Sequence, residues 1–340
     1  MTQQQRRYPP AIAAMLATLV FAASCAPTLN RPLDQPSPTA VSQLWSEPAD
    51  LESRNLFHGI GGEQLRPQST TFTFVADKTT GTNKGYDVRD AQGRLWAVKL
   101  GVEAQPEVTV SRILWALGFH QPPVYYIEQW QFADGDKREL SPARFRAEFE
   151  GREVVGDWSW YDNPFVGSRP FAALVTVNIL LNNWDLKTPN NKVYAVVDDN
   201  GGTGRQYVVR DLGASLGEAR QPRPLTWIPF MRQMQGTKNN LEHFERQGFV
   251  RRIDGELAEF DYSGLDGALV KSVTVDDLRW TCALLSRLSE AQWADAFRAG
   301  GYNTADTARY VRKIQSKIAD AHRLVVASHS SSAEAVQAAR

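Results

Sequence analysis

From Thr71 onward, apolar and polar positions follow the short period of β-structure. The stretch "TFTFVADKTTGTNKGYDVRDAQGRLWAVKLG" contains three segments of strand character, separated by the turn clusters "TTGTNKG" and "AQG". Phe72 and Phe74 alternate with threonine, and "LWAVKLG" ends as an apolar run that carries one lysine, Lys99. The period then lengthens. In "QPEVTVSRILWALG", Val110, Ile113, Leu114 and Leu117 mark one helical face, Pro106 suits a first helical position and Gly118 suits the stop. "PPVYYIEQWQF" resumes strand character. These patterns predict a small sheet with one helix inserted after its third strand.

Beyond Ser141 the pattern predicts mainly helix. "SPARFRAEFE" reads as a short amphipathic helix, and "RPFAALVTVNILLNN" is apolar nearly all round, which predicts a buried helix. The strands "KVYAVV" and "QYVV" flank the turn "DDNGGTG". "QGFVRRIDGELAEFDYSG" reads as a further hairpin. "TVDDLRWTCALLSRL", "SEAQWADAFRAGG" and "NTADTARYVRKIQSKIADAHRLV" each open on a Ser, Thr or Asn suited to capping a helix.

The chain of 340 residues is 42% hydrophobic, enough for one large or two small domains. Its formal net charge of zero advertises neither a nucleic-acid partner nor a polybasic membrane surface. Ten tryptophans are expected mostly in the core or lining a groove. Two cysteines exclude a disulfide framework and a cysteine-based zinc site, and the five histidines show no metal-ligand spacing. Cys282 sits in an apolar helical pattern and reads as an inert buried thiol.

The first 25 residues have the anatomy of an export signal: Arg6 and Arg7, then the apolar run "AIAAMLATLVFAAS". They end on "AASC", which resembles a bacterial lipobox with Cys25 as the lipidated residue, although Ala22 departs from the usual Leu. An ordinary signal peptide or an uncleaved anchor is the alternative. Ala26 after the Cys points to the outer membrane, facing the periplasm. Residues 26–43 are rich in proline and polar residues and read as a tether, and residues 327–340 as a frayed, flexible tail. The folded body is divided at 133, into an N-terminal lobe (44–133) and a C-terminal lobe (134–326).

The stretch "LLNNWDLKTPNNKVY" carries the candidate chemistry. With "LWAVK" before it and "RDLG" after it, the order of polar residues resembles the protein-kinase-like superfamily, in particular atypical members such as the HipA-like, Fam20-like and CotH-like kinases. The resemblance implies an α+β fold of two lobes: a small antiparallel sheet with one helix, and a larger, mainly helical lobe. It also implies ATP and Mg²⁺ as cofactors. Lys99 matches the lysine on the donor phosphates, Asp185 the catalytic base and Lys187 the loop lysine. Asn190 and Asp211 match the metal ligands, and Gly213 the glycine after them. Glu107 is the candidate ion-pair partner of Lys99, ahead of Glu103, or else an acid placed for the helix dipole.

Taken singly, a lysine ending a strand is commonly a solvated edge residue, and D-x-G is a common turn. Several departures from the pattern stand out. Asn183 and Trp184 replace the His and Arg that usually precede the base, so control by activation-loop phosphorylation is not expected. Leu212 replaces a Phe. "TTGTNKGYDV" has Gly81 and Gly85 but no full glycine loop, and reads either as a phosphate cradle or as a plain hairpin turn. Three functions remain open at this point: an exported kinase acting on an unknown acceptor, a pseudokinase that binds a ligand or an envelope protein, and a structural envelope lipoprotein held at the membrane by its lipid.

Overall fold

The computed structural model describes residues 35–79, 83–135, 140–148, 151–197, 202–220, 236–264 and 267–338. The leader through Cys25, the start of the expected tether and Gly81 lie outside the described residues. Within the tether a short helix, α1 (Pro38–Ser42), forms where Ser37 accepts a hydrogen bond from the amide of Ala40 and Pro38 opens the first turn. Its Ser-Pro start is a helix signal that the proline-rich composition obscures.

The three expected strands are β1 (Thr71–Asp77), β2 (Gly85–Arg89) and β3 (Leu95–Leu100), followed by α2 (Ala104–Ala116), β4 (Val124–Ile127) and β5 (Gln131–Phe132). Helix α2 begins two residues before Pro106, and Gly118 closes it at a φ of 96°. The segment read as an amphipathic helix, "SPARFRAEFE", is instead a strand, β6 (Ala143–Ala147). It fills the gap between β3 and β4, pairing antiparallel with both. The sheet order is therefore β4-β6-β3-β2-β1-β5, and the N-terminal lobe runs past residue 133. Strand period explains the difference. Phe145 turns to one face, into an aromatic cluster with Phe72, Trp96 and Trp130, while Arg144 and Arg146 turn to the other.

A second sheet, β7 (Arg152–Asp157), β8 (Asn191–Val197) and β9 (Thr203–Val209), opens the C-terminal lobe. β8 and β9 are the expected hairpin; β7 is an added edge strand. Between β7 and β8 lies α3 (Arg169–Leu180), capped by Ser168 and buried nearly throughout. Next come α4 (Leu241–Arg246), the expected hairpin β10 (Val250–Asp254) and β11 (Leu257–Phe260), and α5 (Gly267–Val270). α6 (Val275–Leu285) and α7 (Glu290–Ala299) each start on a full capping box, from Thr274 with Asp277 and from Ser289 with Gln292. α8 (Thr304–Ala338) stays helical through residues 327–338, the segment read as a frayed tail. No helix among the described residues is long and apolar enough to cross a membrane.

The lobes are joined by more than the chain connection. Leu44, Leu51 and Leu56 sit in the helical core, and Gln292 donates to the Leu51 carbonyl at 2.7 Å. Helix α2 rests on α7 so closely that a Cβ on Gly300 would stand 2.2 Å from the Thr109 hydroxyl. Phe145→Ala removes a fully buried ring from β6 and should cost about 3–5 kcal/mol in urea denaturation. A loss below about 1 kcal/mol would mean that this residue is not in the sheet core.

Candidate functional site

Four chain segments meet at the cleft between the lobes. Lys99 comes from the end of β3, Glu103 and Glu107 from the start of α2, Asn190 from a single 3-10 turn (Thr188–Asn190), and Asp211 from just beyond β9. The Lys99 ammonium lies 2.6 Å from Glu103, 2.7 Å from Asp211 and 3.1 Å from Glu107. Both glutamates thus pair with Lys99, including Glu103, which the sequence reading ranks second. Glu107 also holds Arg144 at 2.8 Å, and Glu103 holds Lys238. Burial works against the Lys99 charge, but Glu107, Asp211 and Glu103 together outweigh it and raise its pKa. Burial likewise disfavours the charged forms of Asp211 and Glu103, but the attraction and hydrogen bond of Lys99, together with Lys238 at Glu103 and with Arg144 and the Gly213 backbone at Asp211, outweigh it, so both carboxyls are held below their usual range.

Local backbone contacts explain how residues distant in sequence converge. The Asn190 carbonyl accepts from the amide of Arg210 at 2.9 Å, which ties the 3-10 turn to the segment carrying Asp211. Gly213 is needed for space: a Cβ there would lie 2.5 Å from the Cβ of Glu103. The side-chain Nδ2 of Asn190 donates to the Asp185 carbonyl at 2.8 Å and lies 3.3 Å from its carboxylate. That leaves the Asn190 side-chain oxygen as an acceptor. Asp185 is also paired with Lys187 at 2.7 Å.

The substitutions before Asp185 have their own structural logic. Asn183 is fully buried. Its side chain donates to Asn178 at 2.9 Å and accepts from the Asp185 amide at 3.2 Å, and its carbonyl accepts from the Tyr262 hydroxyl at 2.9 Å. Trp184 donates to the Thr237 carbonyl at 3.2 Å, and Lys238 lies 5.7 Å from its ring. Asn182 adopts a φ of 55° and ends α3. The buried Lys317 amine donates to the Leu180 carbonyl at 3.0 Å and to the Asn182 side chain at 2.8 Å. Burial lowers the Lys317 pKa well below the usual lysine range. The loop that carries Asp185 is therefore anchored from α8 as well as from α3.

The cleft holds about 430 Å³. Lys99, Glu107, Asp185, Lys187, Asn190 and Asp211 all line it, so every site residue expected among the described positions is brought together there. Glu103 as a full partner, Arg144, Lys238, Arg146 and Lys78 also line it, and motif reading gave them no role or a lesser one. Glu103 was visible as an i+4 neighbour of Lys99. Arg144 and Arg146 were hidden by the helical reading of their segment, and Lys238 has no local signal.

Among the described residues no group of three His, Cys, Asp or Glu side chains could hold a metal unaided. One carboxylate and one amide oxygen, from Asp211 and Asn190, do suit a hard cation such as Mg²⁺ that also takes phosphate and water oxygens. The fold is α+β in two lobes, a smaller one built on the six-stranded sheet with α2 and a larger, mainly helical one. No family model matches the chain, and no curated protein does. Among solved structures it is similar to the crystal structure of a Helicobacter pylori proinflammatory kinase, CtkA, at 12% identity and a TM-score of 0.46, over 76% of this chain and 98% of that one. At that distance the likeness assigns no chemistry, which rests on the side chains themselves.

Charge pairing at Lys99 has a pH signature. Glu103 and Asp211 have lowered pKa values, so the stability they contribute is full above their usual values of 4.5 and 3.8 and is lost as pH falls through the lowered ones. Lys99→Met removes the largest attraction acting on both. The native protein should therefore lose melting temperature more steeply than Lys99→Met on acidification from pH 6 to about pH 3. Parallel curves for the two proteins would show that Lys99 does not hold these carboxylates in their charged form.

Proposed function

We propose that the chain is a kinase-like phosphotransferase that takes ATP with Mg²⁺ and delivers phosphate to an acceptor hydroxyl. One observation supports this above the others: Lys99, Asp211 and the loop carrying Asp185 and Asn190 arrive from three separate segments at one cleft. In this reading the Lys99 ammonium bears on the donor phosphates, and Asp211 with the Asn190 side-chain oxygen holds the cation. Bound Mg²⁺ supplies neutralisation of phosphate charge. Asp185 accepts the proton of the attacking hydroxyl, and Lys187, 2.7 Å from it, balances charge at the same point. Glu107, itself fixed by Arg144, would keep the Lys99 ammonium in place, and Asp211 would hold the cation.

A second reading, a binding module without catalysis, is favoured by one feature. Asp185 is already engaged by Lys187 and by the Asn190 amide. Substitutions separate the two. Asp211→Ala and Lys99→Ala should abolish Mg²⁺-dependent stabilisation by ATP, which reaches about 2.7 kcal/mol at a hundredfold excess over Kd. Asp185→Ala should keep that stabilisation and lower turnover by about 10²–10⁴-fold. Nucleotide binding by the native protein with no transfer to any hydroxyl acceptor would favour the binding module. No ATP effect with or without Mg²⁺ would remove the catalytic reading of "WDLKTPN".

A further inference from the structure

Among the described residues, three that are not glycine adopt a left-handed backbone: Asn182 at a φ of 55°, Leu216 at 58° and Asn239 at 44°. Such conformations strain a residue that carries a side chain, and they persist only where surrounding contacts fix them. Their places in the chain are related. Asn182 leads into Asn183, Trp184 and Asp185, Leu216 lies shortly beyond Asp211, and Asn239 follows Lys238. Hydrogen bonds draw the three together. The Leu216 amide donates to the Leu181 carbonyl at 2.9 Å, and the Leu216 carbonyl accepts from the Asn240 amide at 2.9 Å. The Asn182 side chain donates to the Gly217 carbonyl at 2.6 Å. The segments carrying Asp185, Asp211 and Lys238 therefore meet at one junction, where Asn182 and Leu216 are fully buried.

Each strained residue is held by a polar side chain from one stretch of chain. Lys317 donates to the Asn182 side chain at 2.8 Å, Tyr310 to the Leu216 carbonyl at 3.1 Å, and Tyr302 to the Asn239 side chain. Tyr310 and Lys317 both lie on α8, two helical turns apart on one face. Tyr302 lies just before α8, its ring centre 5.3 Å from that of Tyr310. The rest of that face is the core stripe of Val311, Ile314, Ile318, Ala321 and Val325. Lys317 interrupts the stripe at 2% exposure, and an amine at that depth costs free energy that an apolar residue would not. The cost falls directly beneath the turn that leads to Asp185. Lys317 also donates to the Leu180 carbonyl, in the last turn of α3, where carbonyls lack partners within the helix. Burial raises the pKa of both phenols, so each stays protonated and acts as a donor.

We propose that Tyr302, Tyr310 and Lys317 are positioning residues: a polar row on and beside α8 that holds three strained turns and thereby sets Asp185, Asp211 and Lys238 relative to one another. Its consequence for turnover rests on the phosphotransferase reading above; the clamp itself is a property of the fold. Lys317 acts on Asp185 through Asn182, and Tyr310 acts on the segment beyond Asp211 through Leu216.

The test compares Lys317→Met and Tyr310→Phe in the full chain, since each removes the donor and keeps most of the volume. Hydrogen exchange read by mass spectrometry reports on the clamp without any need for turnover. Lys317→Met should speed exchange of the hydrogen-bonded amides of residues 181–184 about tenfold, and Tyr310→Phe that of Leu216 and Asn240, with β2 and β3 unchanged. Turnover is read with Mg²⁺ and ATP, as phosphate released to water or fixed on the chain itself. Lys317→Met should lower it about tenfold while the Kd for ATP with Mg²⁺ stays within about threefold, because Lys99 and Asp211 hold the nucleotide. Adding Asn182→Gly to Lys317→Met should recover most of that loss, since glycine takes a positive φ without a side chain to hold it. A lysine with a merely structural role predicts a further loss instead, and that result would overturn the proposal. Unchanged exchange at both junction segments would also overturn it, and Tyr310→Phe decides the matter alone if Lys317→Met does not fold. Faster exchange with turnover and Kd both unchanged would overturn the positioning role. No binding of ATP with Mg²⁺ by the native protein would remove the phosphotransferase reading, and the exchange measurement would still decide whether the clamp exists.

Discussion

The structure turns on one buried ammonium. Lys99 has a side chain only 14% exposed, and an unpaired amine at that depth would carry a large desolvation penalty. Three carboxylates, from both ends of the cleft, remove that penalty. Each of them has a further task. Glu107 neutralises Arg144, Glu103 neutralises Lys238, and Asp211 leaves part of its carboxylate open to the cleft, with a side chain 44% exposed. The arrangement is cohesive when empty, with three carboxylates balancing the cations of Lys99, Arg144 and Lys238. Removing Lys99 would leave Glu103, Glu107 and Asp211 without the cation they share.

Helix α2 makes that pairing a fixed feature. Gln105 in its first turn donates to the Gly301 carbonyl at 3.1 Å and accepts from Asn239 at 3.0 Å. At the other end, Arg54 lies over Trp115, and the Trp45 ring donates to the Leu117 carbonyl at 2.7 Å. Both ends are thus tied to segments that pack on the C-terminal lobe. A helix held in this way cannot swing its glutamates away from Lys99 without breaking those contacts. This agrees with the missing arginine before Asp185, where Trp184 instead packs under Lys238.

Much of this was legible in the sequence because the signals are local. The β1–β3 alternation, the all-apolar α3 and the capped starts of α6 and α7 each depend on residues within a few positions of each other. Lys99, Asp185, Asn190 and Asp211 were legible through the resemblance of "LWAVK", "WDLKTPN" and "RDLG" to the kinase-like pattern, each motif being a short run of chain. What was not legible is non-local. A short amphipathic stretch fits a helix or a strand, and only pairing with β3 and β4 decides that Ala143–Ala147 is a strand. That one choice sends Arg144 and Arg146 into the cleft. The salt link from Glu103 to Lys238, 135 positions apart, follows from tertiary packing that no motif encodes.

The central claim is that Asp211 and Asn190 hold a cation against phosphate beside Lys99. The most direct measurement is anomalous diffraction from crystals grown with Mn²⁺ and a non-hydrolysable triphosphate or tripolyphosphate. The account predicts an anomalous peak at bonding distance from the Asp211 carboxylate and the Asn190 side-chain oxygen, with a phosphate oxygen on the Lys99 ammonium. Phosphate bound elsewhere, with the contacts of Lys99 to Glu103, Glu107 and Asp211 unchanged and no metal beside them, would contradict it.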